Sequence, residues 1–345
     1  MKAMELKLAD WWEALPNGRI KCTLCPRYCE IGNGQVGFCF IRQNIEGKLY
    51  STGYGRPTDF AIDPIEKKPL NHFLPGSSVL SFGTAGCNLG CKFCQNWSIS
   101  KARLDETNSL AATPEDVVSL AIKHSTPSIA YTYNDPTIFG EYVIDISRIA
   151  REVNIKNVMV TSGYIDKQAR KDVYQFIDAA NVDLKAFSEK FYHKITFSHL
   201  DDILDTLLWL KYETSVWSEI TTLLIPNEND SDDEIQRMCD WILKNLGDEI
   251  PLHFTAFHPD FRMRDKIATP AKTLVQARNL ALKTGLKFCY VGNIHNREGQ
   301  TTYCPVCHYS LIERDWHSVR FNKLLDGKCP KCLNKLNGIF NNFKK

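Results

Sequence analysis

Three closely spaced cysteines offer the most specific chemistry in this sequence. Cys87, Cys91 and Cys94 form a C-x3-C-x2-C pattern, and Phe93 stands directly before the last cysteine. Three thiolates leave a tetrahedral zinc site one ligand short, but they can hold three irons of a 4Fe–4S cluster. The fourth iron would then have no protein ligand and would be open to a small molecule. The alternative is a zinc site that a distant residue completes.

Two further cysteine groups have the spacing of metal sites. The N-terminal group reads C-x2-C-x3-C-x9-C, and its four thiolates would make a closed site for zinc or for an auxiliary 4Fe–4S cluster. The C-terminal group consists of two Cys-Pro-x-Cys knuckles, a pattern typical of zinc ribbons and rubredoxins, which take zinc or iron. The two groups are Cys22, Cys25, Cys29 and Cys39, and then Cys304, Cys307, Cys329 and Cys332.

Composition limits the classes of protein that fit. The chain has 345 residues, of which 43% are hydrophobic, and its 42 basic and 40 acidic residues give a net charge of +2. These values predict a soluble globular protein with no nucleic-acid partner. The start lacks the hydrophobic region of a signal peptide, and no run approaches the ~20 apolar residues of a membrane helix. We therefore expect a cytoplasmic protein without disulfides or membrane contact.

The elements around these cysteines indicate a β/α fold. From Val79 onward, strand-like runs alternate with helix-like runs, which favours parallel β/α units. We predict an α/β protein: a partial TIM-like (β/α) barrel over residues 76–300, preceded by a Cys-rich metal-binding segment at 1–75 and followed by a zinc-ribbon or rubredoxin-like module at 301–345. The predicted strands are Ser78–Phe82, Ile129–Tyr133, Val158–Thr161, Val182–Leu184, Glu219–Leu224, His253–Phe257 and Phe288–Val291.

Helix signals separate several of these strands. Thr113 is a candidate N-cap before Pro114, Thr269-Pro270 opens another helix, and Ser231 followed by Glu234 is a capping-box pattern. Gly285 is the expected end of the helix that follows Thr269.

Polar residues follow the predicted strands, where the chemistry of a β/α barrel gathers. The cysteine triplet directly follows the first strand, and a period of two places Asp183 and Lys185 on the same side of a later one. The candidate cofactor-binding residues at the strand ends are Tyr133, Asn134, Asp135, Thr161, Ser162, Asp183, Lys185 and His258.

Taken in chain order, the cysteine triplet and these strand-end segments resemble those of the glycyl-radical-enzyme activases. These activases, such as the pyruvate formate-lyase activating enzymes, belong to the radical SAM superfamily. The resemblance implies that S-adenosylmethionine (SAM) chelates the open iron and that Asp183 and Lys185 line its pocket. It implies a histidine near His258 against the adenine. Where the family has a Gly-Gly-Glu segment that meets the SAM amino group, this chain has Asn134-Asp135 after Tyr133, without the glycine pair and with a shorter acid.

A narrower resemblance is to the radical SAM component of the AmmeMemoRadiSam system, which occurs beside an Ammecr1-like and a Memo-like protein. It extends over roughly residues 20 to 300 and implies those two proteins as partners. The segments that carry it are residues 22–29, 37–39, 63–70, 91–97 and 133–137.

The resemblance implies an enzyme in which a reduced 4Fe–4S cluster cleaves SAM to a 5′-deoxyadenosyl radical, which removes hydrogen from a substrate. The electron would come from a ferredoxin- or flavodoxin-type donor, and an open iron predicts oxygen sensitivity. One alternative is an activase that generates a glycyl radical on a partner protein. Another, from a different class, is a zinc-stabilised scaffold without catalysis, which would bind neither iron nor SAM.

Overall fold

A computed structural model describes residues 6–103 and 109–340 of the chain. The N-terminal segment forms two small antiparallel sheets, with strand orders β1-β6-β5 and β2-β3-β4. Their short strands lie between glycine-containing turns. The strands are β1 (Lys7–Leu8), β2 (Trp12–Ala14), β3 (Ile20–Cys22), β4 (Glu30–Ile31), β5 (Arg42–Ile45) and β6 (Lys48–Ser51).

An eight-stranded sheet forms the body of the protein, in the order β14-β13-β12-β11-β10-β9-β8-β7. Seven of its strands run parallel, and β7 pairs antiparallel with β8 at one edge. The strand order follows the chain, and the two edge strands, β7 and β14, are not neighbours in the described sheet, so the barrel is open. Its strands are β7 (Pro57–Pro64), β8 (Ser78–Thr84), β9 (Ser128–Tyr131), β10 (Lys156–Thr161), β11 (Ala179–Asp183), β12 (Trp217–Leu224), β13 (Leu252–Ala256) and β14 (Cys289–Gly292).

All seven predicted barrel strands are present, and their ends shift by a few residues at most. Strands such as β9 and β13 are buried along their whole length, as expected for parallel strands covered on both faces. The predicted N-terminal segment, 1–75, is continuous with this sheet, because its last strand, β7, is the sheet edge.

Helices connect the parallel strands and cover the outside of the barrel. Thr113 closes a full capping box with Asp116. Ser231 also caps its helix, but the Glu234 carboxylate accepts from the Phe187 amide at 2.7 Å instead of completing the box. The helices are α1 (Trp97–Ser100), α2 (Pro114–Lys123), α3 (Gly140–Glu152), α4 (Ala169–Val173), α5 (Glu189–Phe191), α6 (Leu200–Glu213), α7 (Asp232–Leu246), α8 (Ala271–Thr284) and α9 (Arg297–Gln300).

The C-terminal ribbon is a three-stranded antiparallel sheet of β15 (Thr302–Tyr303), β16 (Ser310–Asp315) and β17 (Ser318–Asn322). Its buried side chains share one apolar cluster with Phe288 and Tyr290, at the last barrel strand. The ribbon therefore packs against the open edge of the barrel. In the part of the chain that the structure describes, no helix has the length and apolar character needed to cross a bilayer.

Candidate active site

A cavity of about 500 Å³ occupies the inside of the open barrel and reaches the carboxyl ends of its strands. Its wall combines the cysteine triplet, the strand ends, the loop before β8 and the ribbon. The predicted residues that line it are Cys87, Cys91, Cys94, Tyr133, Asn134, Asp135, Thr161, Ser162, Asp183 and Lys185. The strand order thus brings most of the candidate residues to one space.

The triplet lies on a loop that backbone hydrogen bonds hold against its surroundings. Gly86 donates to the Ile99 carbonyl at 3.0 Å, and Gly90 donates to the Thr196 carbonyl at 2.7 Å. Two sulfurs have polar neighbours, since the Leu89 amide lies 3.5 Å from Cys87 Sγ and Ser100 Oγ lies 3.1 Å from Cys94 Sγ. The thiols are therefore presented by a fixed loop.

The donor set fits an iron–sulfur cluster better than a single ion. Within residues 6–103 and 109–340, only the four ribbon cysteines form a group of three or more potential ligand atoms within 4.8 Å of one another. Burial raises the pKa of Cys87 to about 11 and that of Cys91 to about 12, so these thiolates need cationic metal beside them. The wider spacing suits thiolates that bind separate irons.

Asn134 ties the end of β9 to the cysteine loop. Its Nδ2 donates to the carbonyls of Thr84 at 2.8 Å and Gly86 at 2.7 Å. The residue before it, Tyr133, has a φ of 70° and directs its hydroxyl to Asp63 Oδ2 at 3.1 Å. The turn therefore positions both the cysteine loop and a tyrosine inside the cavity.

The Asp135 carboxylate links the ends of β9 and β10. It accepts from the Ser162 amide at 2.8 Å, from the Ser162 hydroxyl, from Thr161 Oγ1 at 3.1 Å and from the Thr137 amide at 3.0 Å. Asp135, which occupies the position of the glutamate in the activase family, therefore binds the neighbouring strand end through hydrogen bonds. Its shorter side chain matches this role, because the two strand ends are adjacent.

Asp183 ends β11 and Lys185 lies two residues further on; the two form an ion pair at 2.7 Å and line the cavity. Burial alone would lower the pKa of Lys185, but the negative charge of Asp183 outweighs it and raises that pKa. Lys185 Nζ also lies 5.8 Å from the centre of the Phe93 ring. A fixed positive charge therefore lies beside the cysteine loop.

The structure does not bring His258 to the cavity. The residue is exposed, because the chain turns outward after the buried Phe257, whose amide donates to Thr269 Oγ1 at 3.0 Å. His258 is therefore not among the described residues that line this cavity. A different histidine, His253 on β13, lines the cavity.

His253 belongs to a buried polar group that the sequence did not reveal. Its Nε2 lies 2.7 Å from a carboxylate oxygen of Glu219, which is 0% exposed. That carboxylate also accepts from the amides of Asn71 at 2.9 Å and His72 at 2.7 Å. A charged residue inside the buried strand β12 was the available signal for this site.

The ribbon and the loop before β8 supply the rest of the wall. Arg314 on β16 is 1% exposed and lies 3.4 Å from Glu66 Oε1. Lys68 forms a buried ion pair with Asp63 at 2.7 Å. The cavity residues from these two segments are Glu66, Lys67, Lys68, Asn71, Arg314, Trp316 and His317.

The four ribbon cysteines are arranged for one metal ion. Cys304 and Cys332 have their sulfurs 3.5 Å apart, and those of Cys307 and Cys329 are 3.6 Å apart. A tetrahedral Zn²⁺ with bonds of about 2.3 Å separates its sulfurs by about 3.8 Å, so the residues fit zinc and similarly an iron of rubredoxin type. Within the described residues, the group of potential ligands at this site consists of these four cysteines.

Known proteins resemble the chain in sequence. Residues 82–241 match the model of the Radical SAM superfamily. An uncharacterized protein of Methanocaldococcus jannaschii, MJ0808, is 44% identical over 309 residues, which are 90% of this chain and 92% of that protein. The 4-hydroxyphenylacetate decarboxylase activating enzyme of Clostridioides difficile is 24% identical over 224 residues, which are 59% of this chain and 70% of that enzyme.

The fold has solved counterparts. SuiB of Streptococcus suis, in its complex with the precursor peptide SuiA, gives a TM-score of 0.51 at 15% identity, over 67% of this chain and 52% of SuiB. At that identity the likeness concerns the fold alone. The fold, the cysteine loop at the strand ends and the sequence matches place this chain in the radical SAM superfamily, related to the activating enzymes.

Proposed function

We propose that this chain cleaves SAM reductively in the barrel cavity and uses the product to remove hydrogen from a substrate. Cys87, Cys91 and Cys94 would hold the cluster. When bound, a reduced 4Fe–4S cluster with SAM on its open iron supplies the electron that breaks the bond from sulfur to the 5′-carbon and yields a 5′-deoxyadenosyl radical. The observation that supports this most is the opening of the cysteine loop onto a 500 Å³ cavity lined by polar strand ends.

The remaining predicted residues would bind and orient SAM. The Asp183–Lys185 pair offers both a hydrogen-bond acceptor and a positive charge beside the loop. Asp135 fixes Thr161 and Ser162 through its hydrogen bonds, so these hydroxyls and amides would be held in place for the ligand. In this proposal the strand ends provide positioning and exclude water, while the cofactor provides the radical chemistry.

The electron donor would be a ferredoxin or flavodoxin. The resemblance described above adds Ammecr1-like and Memo-like proteins as proposed partners. The cavity, at about 500 Å³, lies within the range of about 300–1,000 Å³ that is common for small-molecule sites. A second proposed function is activation of a glycyl-radical partner, which the 24% identity to an activating enzyme favours.

An anaerobic assay for 5′-deoxyadenosine tests the main proposal. The wild-type chain, loaded with iron and sulfide and given SAM and dithionite, should form this product. Cys91→Ala should not form it, while Cys239→Ala, which removes a buried thiol on α7, should form it like the wild type. A wild-type chain that carries the cluster and binds SAM but never cleaves it, with or without the proposed partners, would contradict the proposal. A glycyl-radical electron paramagnetic resonance (EPR) signal on an added partner would favour the second function.

A further inference from the structure

The four N-terminal cysteines converge on a second, much smaller cavity. It measures about 20 Å³ and is otherwise lined mainly by apolar side chains. Three of the four thiols are buried. An apolar, water-poor pocket with four thiols suits metal binding, because metal replaces the thiol protons. The lining cysteines are Cys22, Cys25, Cys29 and Cys39.

The spacing of these sulfurs distinguishes the site from the ribbon site. All four ribbon sulfurs lie within 4.8 Å of one another, whereas no three of the N-terminal set meet that limit in the described part of the chain. Sulfurs that bind one tetrahedral ion through bonds of about 2.3 Å lie about 3.8 Å apart. The wider spacing of the N-terminal sulfurs suits thiolates that bind separate irons of a cluster.

A buried arginine provides an independent observation. Arg42 is 1% exposed and lines the small cavity. Its terminal nitrogens are engaged by Glu141 at 2.9 and 3.0 Å and by the Asp10 carbonyl at 2.7 Å. Its Nε is buried and has no hydrogen-bond partner among the described residues. A buried donor without an acceptor is costly, so this N–H requires an acceptor that the cavity would contain.

The small cavity adjoins the loop of the first cysteine triplet. A Cβ built on Gly86, directly before Cys87, would lie 1.9 Å from the Cys39 carbonyl oxygen. Asn88 lines the small cavity, and its neighbours Cys87 and Leu89 line the large one. One stretch of backbone therefore forms a wall of both cavities.

From these observations we propose that Cys22, Cys25, Cys29 and Cys39 bind a second 4Fe–4S cluster and that Arg42 Nε–H donates a hydrogen bond to one of its sulfurs. Four thiolates leave no open iron, so this site would not bind SAM. Hydrogen bonds to sulfur tune the reduction potential of such clusters, which gives Arg42 a role beyond its ion pair. The proposal is separate from SAM cleavage and can be tested without it.

The decisive experiment removes the first triplet and counts sulfide. We would load the full-length Cys87→Ala/Cys91→Ala/Cys94→Ala variant with iron and sulfide anaerobically and measure acid-labile sulfide, zinc and the EPR spectrum after reduction. The expected result is about four sulfides per chain and a reduced-cluster signal that SAM does not change. Sulfide is the readout because a four-cysteine ribbon site contains none.

Two further pairs of substitutions in that variant show which cysteines bind the cluster. Adding Cys22→Ser/Cys25→Ser should remove the sulfide, whereas adding Cys304→Ser/Cys307→Ser should leave it in place. Zinc without sulfide in the triple variant, or only about two sulfides, would overturn the proposal.

The wild-type chain provides a test that does not depend on the folding of a variant. Its Mössbauer spectrum should contain two clusters, of which SAM changes one. A single cluster, changed entirely by SAM, would overturn the proposal. Arg42→Lys, which keeps the charge and loses the Nε donor, should shift the midpoint potential of the SAM-insensitive cluster and leave that of the other unchanged.

Discussion

A buried arginine contributes to the contact between the ribbon and the barrel, and removing its charge should show how much it stabilises the protein. Arg314 pairs with Glu66, and both side chains are at most 2% exposed. The guanidinium also donates to the Asn71 carbonyl at 2.7 Å and to Thr302 Oγ1 at 2.9 Å. Arg314→Met retains much of the apolar volume while removing the charge and these donors. It leaves the Glu66 carboxylate buried without its cation.

Breaking a buried pair from one side costs roughly 3–5 kcal/mol, because the remaining charge stays desolvated. We expect the lower end of this range, about 3 kcal/mol. The separation of 3.4 Å is long, and Glu66 keeps its hydrogen bond from the Gly76 amide at 2.9 Å. The control is Arg320→Met, since Arg320 pairs with Asp315 at 2.8 Å on the ribbon surface, with both side chains more than half exposed. Exposed pairs contribute little, so this variant should unfold like the wild type.

Anaerobic urea unfolding of the metal-loaded chains, followed by tryptophan fluorescence, measures the difference. Arg314→Met should unfold at a clearly lower urea concentration than Arg320→Met, and adding Glu66→Gln to Arg314→Met should restore part of the loss. Equal midpoints for the two arginine variants, or no recovery in the double variant, would refute the reasoning.

The same variant has a pH signature. Burial raises the pKa of Glu66 above its ordinary value of 4.5, and the charge of Arg314 opposes that rise. A carboxyl whose pKa is higher in the folded state binds protons more tightly there, so its stability penalty grows as pH rises above 4.5 toward the folded value. Without Arg314 the folded value rises further. The loss in Arg314→Met should therefore be smaller in mildly acidic buffer than in neutral buffer, and Glu66→Gln should abolish this dependence.

Three further changes have defined outcomes. Asp135→Asn places a donor against the Ser162 amide, so the affinity for SAM measured by calorimetry should fall about tenfold, or about 1.4 kcal/mol. An unchanged affinity would contradict the role of Asp135 in holding the two strand ends together. Gly86→Ala should prevent cluster loading, because its Cβ would lie 1.9 Å from the Cys39 carbonyl oxygen. The control is Gly47→Ala, which is also at positive φ but whose Cβ would have no described atom within 4 Å, and it should load normally in an iron and sulfide assay. Removing the ribbon metal with a chelator should make the four ribbon thiols reactive to maleimide, while the sulfide content of the chain stays constant. A concurrent loss of sulfide would show that the chelator had not been selective.

Local patterns predicted most of the barrel. The strands follow buried apolar runs, and helix starts such as Thr113 follow from side-chain capping that involves residues three positions apart. The spacing of Cys87, Cys91 and Cys94 likewise predicted that these residues lie together, and the structure places all three on the wall of one cavity. Features that depend on short sequence separations could therefore be identified before the fold was known.

The parts of the site that escaped prediction depend on long-range pairing. Glu66 and Arg314 are 248 positions apart, and Arg42 and Glu141 are 99 apart, so no spacing in the sequence relates them. His258 illustrates the converse, because its position just after a strand predicted a site residue, yet the turn after Phe257 directs it to solvent.

The wall of the large cavity constrains the role of the ribbon. A module that only stabilised the chain could pack anywhere on the barrel, but this one places Arg314, Trp316 and His317 on the same surface as the cysteine triplet. Arg314 is held by Glu66 and Asn71 of the loop before β8 and by the Gln300 carbonyl of α9, so the wall depends on the ribbon being docked. Loss of the ribbon metal should therefore change the shape of the cavity as well as the stability of the ribbon. In a radical SAM enzyme such a change would affect substrate binding more than the position of the cysteine loop. The loop is fixed by its own hydrogen bonds to residues 99 and 196.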